Sequence, residues 1–337
     1  MTEDTAEMPR IPGVPATILV APDSFKGTLS AAEVAQSIGR GLAAAGRPVD
    51  LCPVADGGEG TLDALVLALG GELRTATVSD PLGREIEASF AIAGGMGIVE
   101  TAAASGLGLV EPGERDPIAA STFGTGELIL AAIGQGAEVV YLGVGGSATT
   151  DGGADAIRAI DEGGGLEGAR IVILCDVRTA FERAARVFAP QKGADERQVA
   201  RLTKRMNDQA RRLRRDPRGV PMTGAAGGLS GGLWAQFGAE LVPGAQFVLD
   251  AADFDRRMRA ARAVVTGEGK LDQQSLAGKL VSEISTRARQ AGVPCHAIVG
   301  THELDPFGTR VLDLQAVLEA GTPRQISAAA RRLADLL

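Results

Sequence analysis

Short apolar runs that stop at glycine-bearing loops recur along this chain, and that alternation confines it to folds whose buried parallel strands end at functional loops. The clearest case is AEVVYLGVGGSATTDGG, residues 137–153. Val139, Val140, Tyr141 and Leu142 read as a strand buried on both faces. Gly143, Gly145, Gly146, Gly152 and Gly153 then let backbone N–H groups approach an anion with no Cβ in the way. PDSFKG (22–27), ADGGEG (55–60), PQKGA (190–194) and GEGKLD (267–272) are further loops of this kind. The 46 glycines are about twice the usual ~7% share, and they gather where apolar runs end, with no collagen-like period.

ILVA (18–21) is a short strand entering PDSFKG, and the helix after it has a Ser30/Glu33 capping box, a Val34, Ile38, Leu42 stripe and a stop at Gly46. A strand over 49–54 leads through ADGGEG into a second helix, giving two βα units in a row. Residues 72–92 then alternate around Asp80-Pro81-Leu82-Gly83 as a hairpin. Residues 97–107 read as a strand entering a small-residue turn, and 121–136 as a helix. Residues 195–215 carry eight Lys and Arg on a helix whose apolar face is Val199, Leu202, Met206 and Leu213, a solvated amphipathic helix in an acidic protein. GAAGGLSGGLWAQFG (224–238) has too many glycines for a free-standing helix, so close packing or a ligand must support it. After 263–266 the βαβ rhythm of the N-terminus returns.

The fold class expected is therefore α/β with two domains. Residues 17–70 plus 262–337 form one Rossmann-like parallel sheet built from the N- and C-terminal parts, residues 71–261 form an inserted α/β domain, and residues 1–16 are a disordered tail without a signal or anchor core.

A formal charge of −8 and 3% aromatic residues argue against nucleic acid and anionic membrane as partners. Cys52, Cys175 and Cys295 read as buried free thiols of a reducing cytoplasm. No P-loop string occurs, since Gly269-Lys270 and Gly278-Lys279 lack the first glycine. His296 and His302 lie late and apart, which gives a histidine hydrolase or zinc site little support. Residues 143–148 match G-x-G-x-x-A, with Asp161 near the distance of a ribose-binding acid, so an NAD-linked oxidoreductase of a small hydroxy acid stays open, as does a regulator that binds without turnover. What the loops hold in common is a set of acids, Asp23, Asp56, Glu59, Asp151, Asp176, Glu268 and Asp272, with Lys26, Lys192 and Lys270. Phosphoryl transfer uses such a set, because lysines and amides hold phosphates while carboxylates hold Mg²⁺ or accept a proton.

APDSFKGTLSAAEVA (21–35), PVADGGEGTLDAL (53–65), DPLGR (80–84), ETAAASGL (100–107), TFGTGEL (122–128), GVGGSATTDGG (143–153), PQKGA, GAAGGL (224–229) and TGEGKLD (266–272) resemble, in order, the motifs of the type 1 glycerate kinases. The resemblance covers about residues 17–335. It implies ATP- and Mg²⁺-dependent phosphorylation of D-glycerate, most often on the 2-hydroxyl, in a cleft between two α/β domains, one of them Rossmann- or flavodoxin-like, and leaves a homodimer open. This chain departs from the pattern after Val177, where RTAFERAARVF (178–188) replaces a proline- and glycine-bearing loop. On that resemblance, Ser24, Lys26, Gly57 and Gly58 are expected to bind glycerate's carboxylate or the moving phosphoryl group. Gly145, Gly146 and Ser147, with Gly267 and Lys270, are expected at ATP, and Lys192 at the transferred charge. Asp56, Glu59 or Asp272 would hold Mg²⁺, and Asp176 or Asp23 would serve as base.

Overall fold

The computed structural model describes residues 17–337; the tail expected over 1–16 lies outside them. Chain order opens with β1 (Ile18–Pro22), α1 (Ala31–Ala44), β2 (Val49–Leu51) and α2 (Thr61–Leu69). The middle runs β3 (Glu72–Ser79), β4 (Glu85–Ala93), β5 (Met96–Glu100), α3 (Thr101–Ser105), α4 (Phe123–Gly134), β6 (Val139–Gly143), α5 (Ala154–Glu162), β7 (Arg170–Leu174), α6 (Ala184–Phe188), α7 (Glu196–Ala210), α8 (Leu229–Phe237) and β8 (Glu240–Val242). It closes with α9 (Gly244–Ala251), α10 (Phe254–Ala260), β9 (Ala263–Gly267), β10 (Lys270–Leu271), α11 (Leu280–Ala291), β11 (Cys295–Val299), β12 (Thr301–His302), α12 (Pro306–Val311), β13 (Leu314–Glu319) and α13 (Pro323–Leu333).

The fold is mixed α/β with two main sheets. One is all parallel, ordered β13-β11-β9-β1-β2, so it draws on both ends of the chain. The chain steps from β1 outward to β2, then returns to β9 on β1's other side and continues outward. The order reverses between β1 and β9, and open α/β sheets bind ligands beyond the strand ends at such a reversal. The second sheet, β3-β4-β5-β6-β7-β8, follows chain order, antiparallel through β5 and parallel from β5 to β8. A single apolar core takes Leu19 and Val264 from the first sheet, Ile98 and Leu174 from the second, and Leu65 and Val248 from α2 and α9, so the two sheets share packing through these helices.

Local structure follows the sequence closely. Ser30 and Glu33 form both capping-box bonds at α1, and the Asp80 turn joins β3 to β4. Asp195 and Gln198 cap α7, which buries Leu202 and Met206 against Phe181. Leu213 lies beyond that helix. The 178–188 segment supplies Phe181, Ala184 and Ala185 to the same small core. In α8, Gly231 and Gly232 press on Thr223 and Gly152, where a Cβ would overlap backbone, so close packing supports this glycine-rich helix. Trp234 is half-buried beneath the Arg215 guanidinium, 4.2 Å from the ring centroid, rather than deep in the core.

Two segments differ from expectation for physical reasons. β2 is regular only to Leu51, but Cys52 and Val54 still donate to Val20 and Pro22, so pairing with β1 runs on to 54; Pro53 is tolerated between them because its missing N–H faces the open edge of the sheet. The small-residue turn after β5 is the short helix α3, whose three consecutive alanines favour helix. Cys52, Cys175 and Cys295 are buried free thiols, all pushed up by burial. Among the described residues, no helix is long and apolar enough to cross a membrane.

Candidate active site

The loops after β1 and β9 meet where the strand order reverses: Asp23 N donates to Gly267 O at 2.8 Å. Burial and the nearby Asp56 charge push the Asp23 carboxyl well above the usual range, against the pull of Lys26 and the Ser24 N–H, which donates to it at 2.7 Å. The Lys26 ammonium lies 3.2 Å from Asp56 Oδ2. Asp56 raises the Lys26 pKa most, and Asp23 adds to that. Burial works against Asp56's own charge, but Lys26, Lys279 and the Gly58 N–H hold it below its ordinary value. Glu268 is pushed up to about 7, by burial first, with Asp272 and Asp56 adding and Ser275 and Lys279 opposing. Its Oε1 is buried without a hydrogen-bond partner.

Facing these groups are the strand ends of the second sheet. Glu100, closing β5, accepts the Leu62 N–H of α2 at 2.7 Å and is pushed up to about 7 by burial. α2 has only Gly60 at its own N-cap, so this carboxylate caps it from the opposite sheet. Val144, after β6, donates to Gly57 O at 2.9 Å. Gly57 has φ +86°, and a Cβ there would stand 2.7 Å from Leu174 O. A Cβ on Gly145 would overlap Gly58 Cα, while one on Gly58 would lie 3.6 Å from Gly145 Cα and 3.8 Å from Lys26 Nζ. Gly58 thus joins the lysine of one loop to the glycine run of the other. We expect Gly145→Ala to force these loops apart, costing about 1–3 kcal/mol in denaturant unfolding and raising KM for both substrates; wild-type stability and KM would show the contact to be slack.

Asp176, beyond β7, accepts the Ala245 N–H of α9 at 3.1 Å, and burial followed by Asp56 pushes it up to about 7. Ser147 bridges Gly106, with Leu107 N to Gly146 O at 2.8 Å and Ala148 N to Ser105 O at 2.9 Å, so α3 pins the glycine run. Lys192 is buried, donating to Ser147 Oγ at 2.9 Å and to Thr149 O. Burial pushes it down to about 7, while Asp151 opposes. Asp151 is itself committed to Thr122 and Gly153.

An open cleft of about 660 Å³ runs between the two sheets, with Ser24, Lys26, Glu59, Leu62, Glu100 and Ala103 on its walls. Ser24 Oγ is buried there, with no hydrogen-bond partner among the described residues. The structure brings Asp23, Ser24, Lys26, Asp56, Gly57, Gly58, Gly145 and Gly267 together, and sets Asp176 close enough to feel Asp56. Gly146 and Ser147 continue from Gly145. Glu59 stands on the cleft wall, exposed. Lys270 turns away to Glu303 at 2.9 Å, with Asp272 3.9 Å from it, and Asp272 caps the Gln274 N–H. Asp161 sits exposed in the last turn of α5, not at a strand end as a ribose-binding acid would. Glu100 and Lys279 are additions that sequence reasoning missed. For Glu100 the signal was present, an acid at the end of an apolar run, as with Asp23 and Asp176.

Among the described residues, no three His, Cys, Asp or Glu side chains converge as a metal cage.

The sequence profile of the glycerate kinase family matches residues 18–164 and 164–336. The chain is 37% identical over 324 residues to a glycerate kinase of Halalkalibacterium halodurans, covering 85% of each chain. It is 37% identical over 323 residues to the glycerate 2-kinase of Escherichia coli K12, covering 84% of this chain and 85% of that one. A crystal structure from Salmonella typhimurium LT2, assigned as glycerate kinase 2, superposes with a TM-score of 0.80 at 32% identity, covering 96% of this chain and 98% of that one.

Proposed function

Because the chain belongs to the glycerate kinase family, we propose that it moves the γ-phosphoryl group of ATP to the 2-hydroxyl of D-glycerate in the cleft between the two sheets. The observation that carries this reading is the junction at Gly58, which sets the Lys26–Asp56 pair of one sheet against the glycine run of the other. The name of the Escherichia coli relative supports the 2-position.

In this reading the unpartnered Ser24 hydroxyl, Lys26 and the amides of Gly57 and Gly58 hold the glycerate carboxylate and the moving phosphoryl group. The amides of Gly145 and Gly146, with Ser147, cradle the nucleotide phosphates, and Gly267 shapes the loop opposite. Asp56 is the carboxylate best placed to hold Mg²⁺, since its pKa is already depressed, and Glu59 and Asp272 flank the region. Bound Mg²⁺ would offset charge on the phosphates. Asp176 or Asp23 accepts the hydroxyl proton.

Incubation with D-glycerate and Mg·ATP should release ADP, and added enolase should convert the product directly to phosphoenolpyruvate, which only 2-phosphoglycerate allows. ADP release without phosphoenolpyruvate would move the reaction to the 3-hydroxyl. No ADP across varied metal and pH would reject the kinase reading and return the chain to the oxidoreductase or binding alternatives.

A further inference from the structure

Both recorded hydrogen bonds of Lys192 run into the glycine loop, to Ser147 Oγ at 2.9 Å and to the Thr149 carbonyl, and its side chain is 3% exposed. Neither Ser147 nor Thr149 is among the residues on the walls of the open cleft. In its charged form, which the negative charge of a bound nucleotide favours, Lys192 has hydrogens to give and no lone pair to accept with, so Ser147 Oγ is then the acceptor. The hydroxyl's own hydrogen then has to point away from Lys192. The Ser147 backbone is held in place, because it bridges Gly106 and its neighbours Gly146 and Ala148 are tied to Leu107 and Ser105, which leaves the bond from Lys192 to orient the side chain. Among the described residues the Ser147 hydroxyl hydrogen has no acceptor, and the residue follows directly on Gly145 and Gly146, the first of which packs on Gly58.

We propose that Lys192 is a positioning residue that acts through Ser147: by donating into the serine oxygen from behind, it fixes the hydroxyl as an outward donor to a phosphate oxygen of the nucleotide. The inference rests on the nucleotide reading of this loop given above. It assigns Lys192 a place behind the loop, not in contact with the transferred group. It also explains why a buried cation is worth its desolvation, since without Lys192 the hydroxyl could turn inward to a carbonyl and present only lone pairs to an anion.

A double-mutant cycle in nucleotide binding tests this without relying on turnover. Calorimetric titration of the full chain with Mg²⁺ and a non-hydrolysable ATP analogue should show Ser147→Ala and Lys192→Met each weakening binding about 10- to 100-fold. The double variant should bind within about twofold of Lys192→Met alone, with KM for glycerate nearly unchanged throughout. Losses that multiply in the double variant, or a raised KM for glycerate in Lys192→Met at normal nucleotide affinity, would overturn the proposal. If Lys192→Met fails to fold, as judged by circular dichroism and melting, Ser147→Ala decides alone, and wild-type nucleotide affinity in that variant overturns it. A chain that shows the coupled losses yet releases no ADP with D-glycerate keeps this positioning and loses the proposed activity. ADP release that is indifferent to Ser147→Ala does the reverse.

Discussion

Lys26→Met is expected to lower kcat/KM for glycerate by about 10²- to 10³-fold, the cost of deleting a charged donor aimed at developing charge in a sheltered site. The ammonium is the cation paired with Asp56, and its charge also opposes the upward shift of Asp23. Removing it deletes a contact to the anionic substrate and leaves Asp23, Asp56 and Glu268 facing one another, with Lys279 opposing at Asp56 and Glu268 and the Ser24, Gly58 and Ser275 hydrogen bonds giving the remaining relief. The two losses reinforce each other: as the carboxylates repel, their pKa values rise and the neutral forms that replace them bind metal less well. Stability should fall by about 1–3 kcal/mol, because Lys26 is half-exposed but Asp56 is only 12% exposed and loses its main counter-charge. Steady-state ADP release and a thermal melt check both halves. A loss below tenfold with the melt unchanged would remove Lys26 from the reaction.

Asp176→Asn should lower kcat by about 10²- to 10⁴-fold, the usual contribution of a general base. Asparagine keeps an oxygen to accept the Ala245 N–H, so the end of α9 stays capped and the change isolates the proton-accepting role. The sign of the pH effect follows from the raised pKa. A base must be ionised to act, and burial and Asp56 hold Asp176 protonated until about pH 7. The wild-type rate should therefore fall as pH drops through about 7, and the residual activity of Asp176→Asn should lose that limb. Glu268 is pushed to about the same value, so Glu268→Gln is the control. If the limb disappears in Glu268→Gln and persists in Asp176→Asn, the base has been misassigned.

The βα units were legible because their signals are local. Apolar runs stop at glycine, Ser30 and Glu33 cap each other, and Asp80-Pro81-Leu82-Gly83 turns the chain. The neighbour relations of the parallel sheet were not written locally. Nothing near β1 states that its second partner is β9, since β1 and β9 are both buried apolar runs with no polar face to distinguish partners. In the site, the acids at strand ends stood out because hydrophobicity breaks there. Lys192 reads from sequence as a loop amine held by proline and glycine; only packing shows it enclosed and bound to Ser147. Lys270 shows the converse, a lysine in a glycine loop whose charge goes to Glu303 at the surface. Side-chain direction in a glycine loop depends on φ values and neighbours that residue spacing does not encode.

The place of β1 inside its sheet also bears on how the chain is made. β1 hydrogen-bonds on one side to β2, which follows soon after, and on the other to β9, and the Thr266 hydroxyl reaches Ala21 O across 245 positions. At roughly 5 to 20 residues per second, a ribosome leaves that edge without its partner for about 10–50 s. All six strands of the other sheet emerge during this interval, in the order in which they pair. Translation thus presents a finished sheet beside an open apolar strand edge, which is the moment in the protein's life when it most needs shielding from other chains.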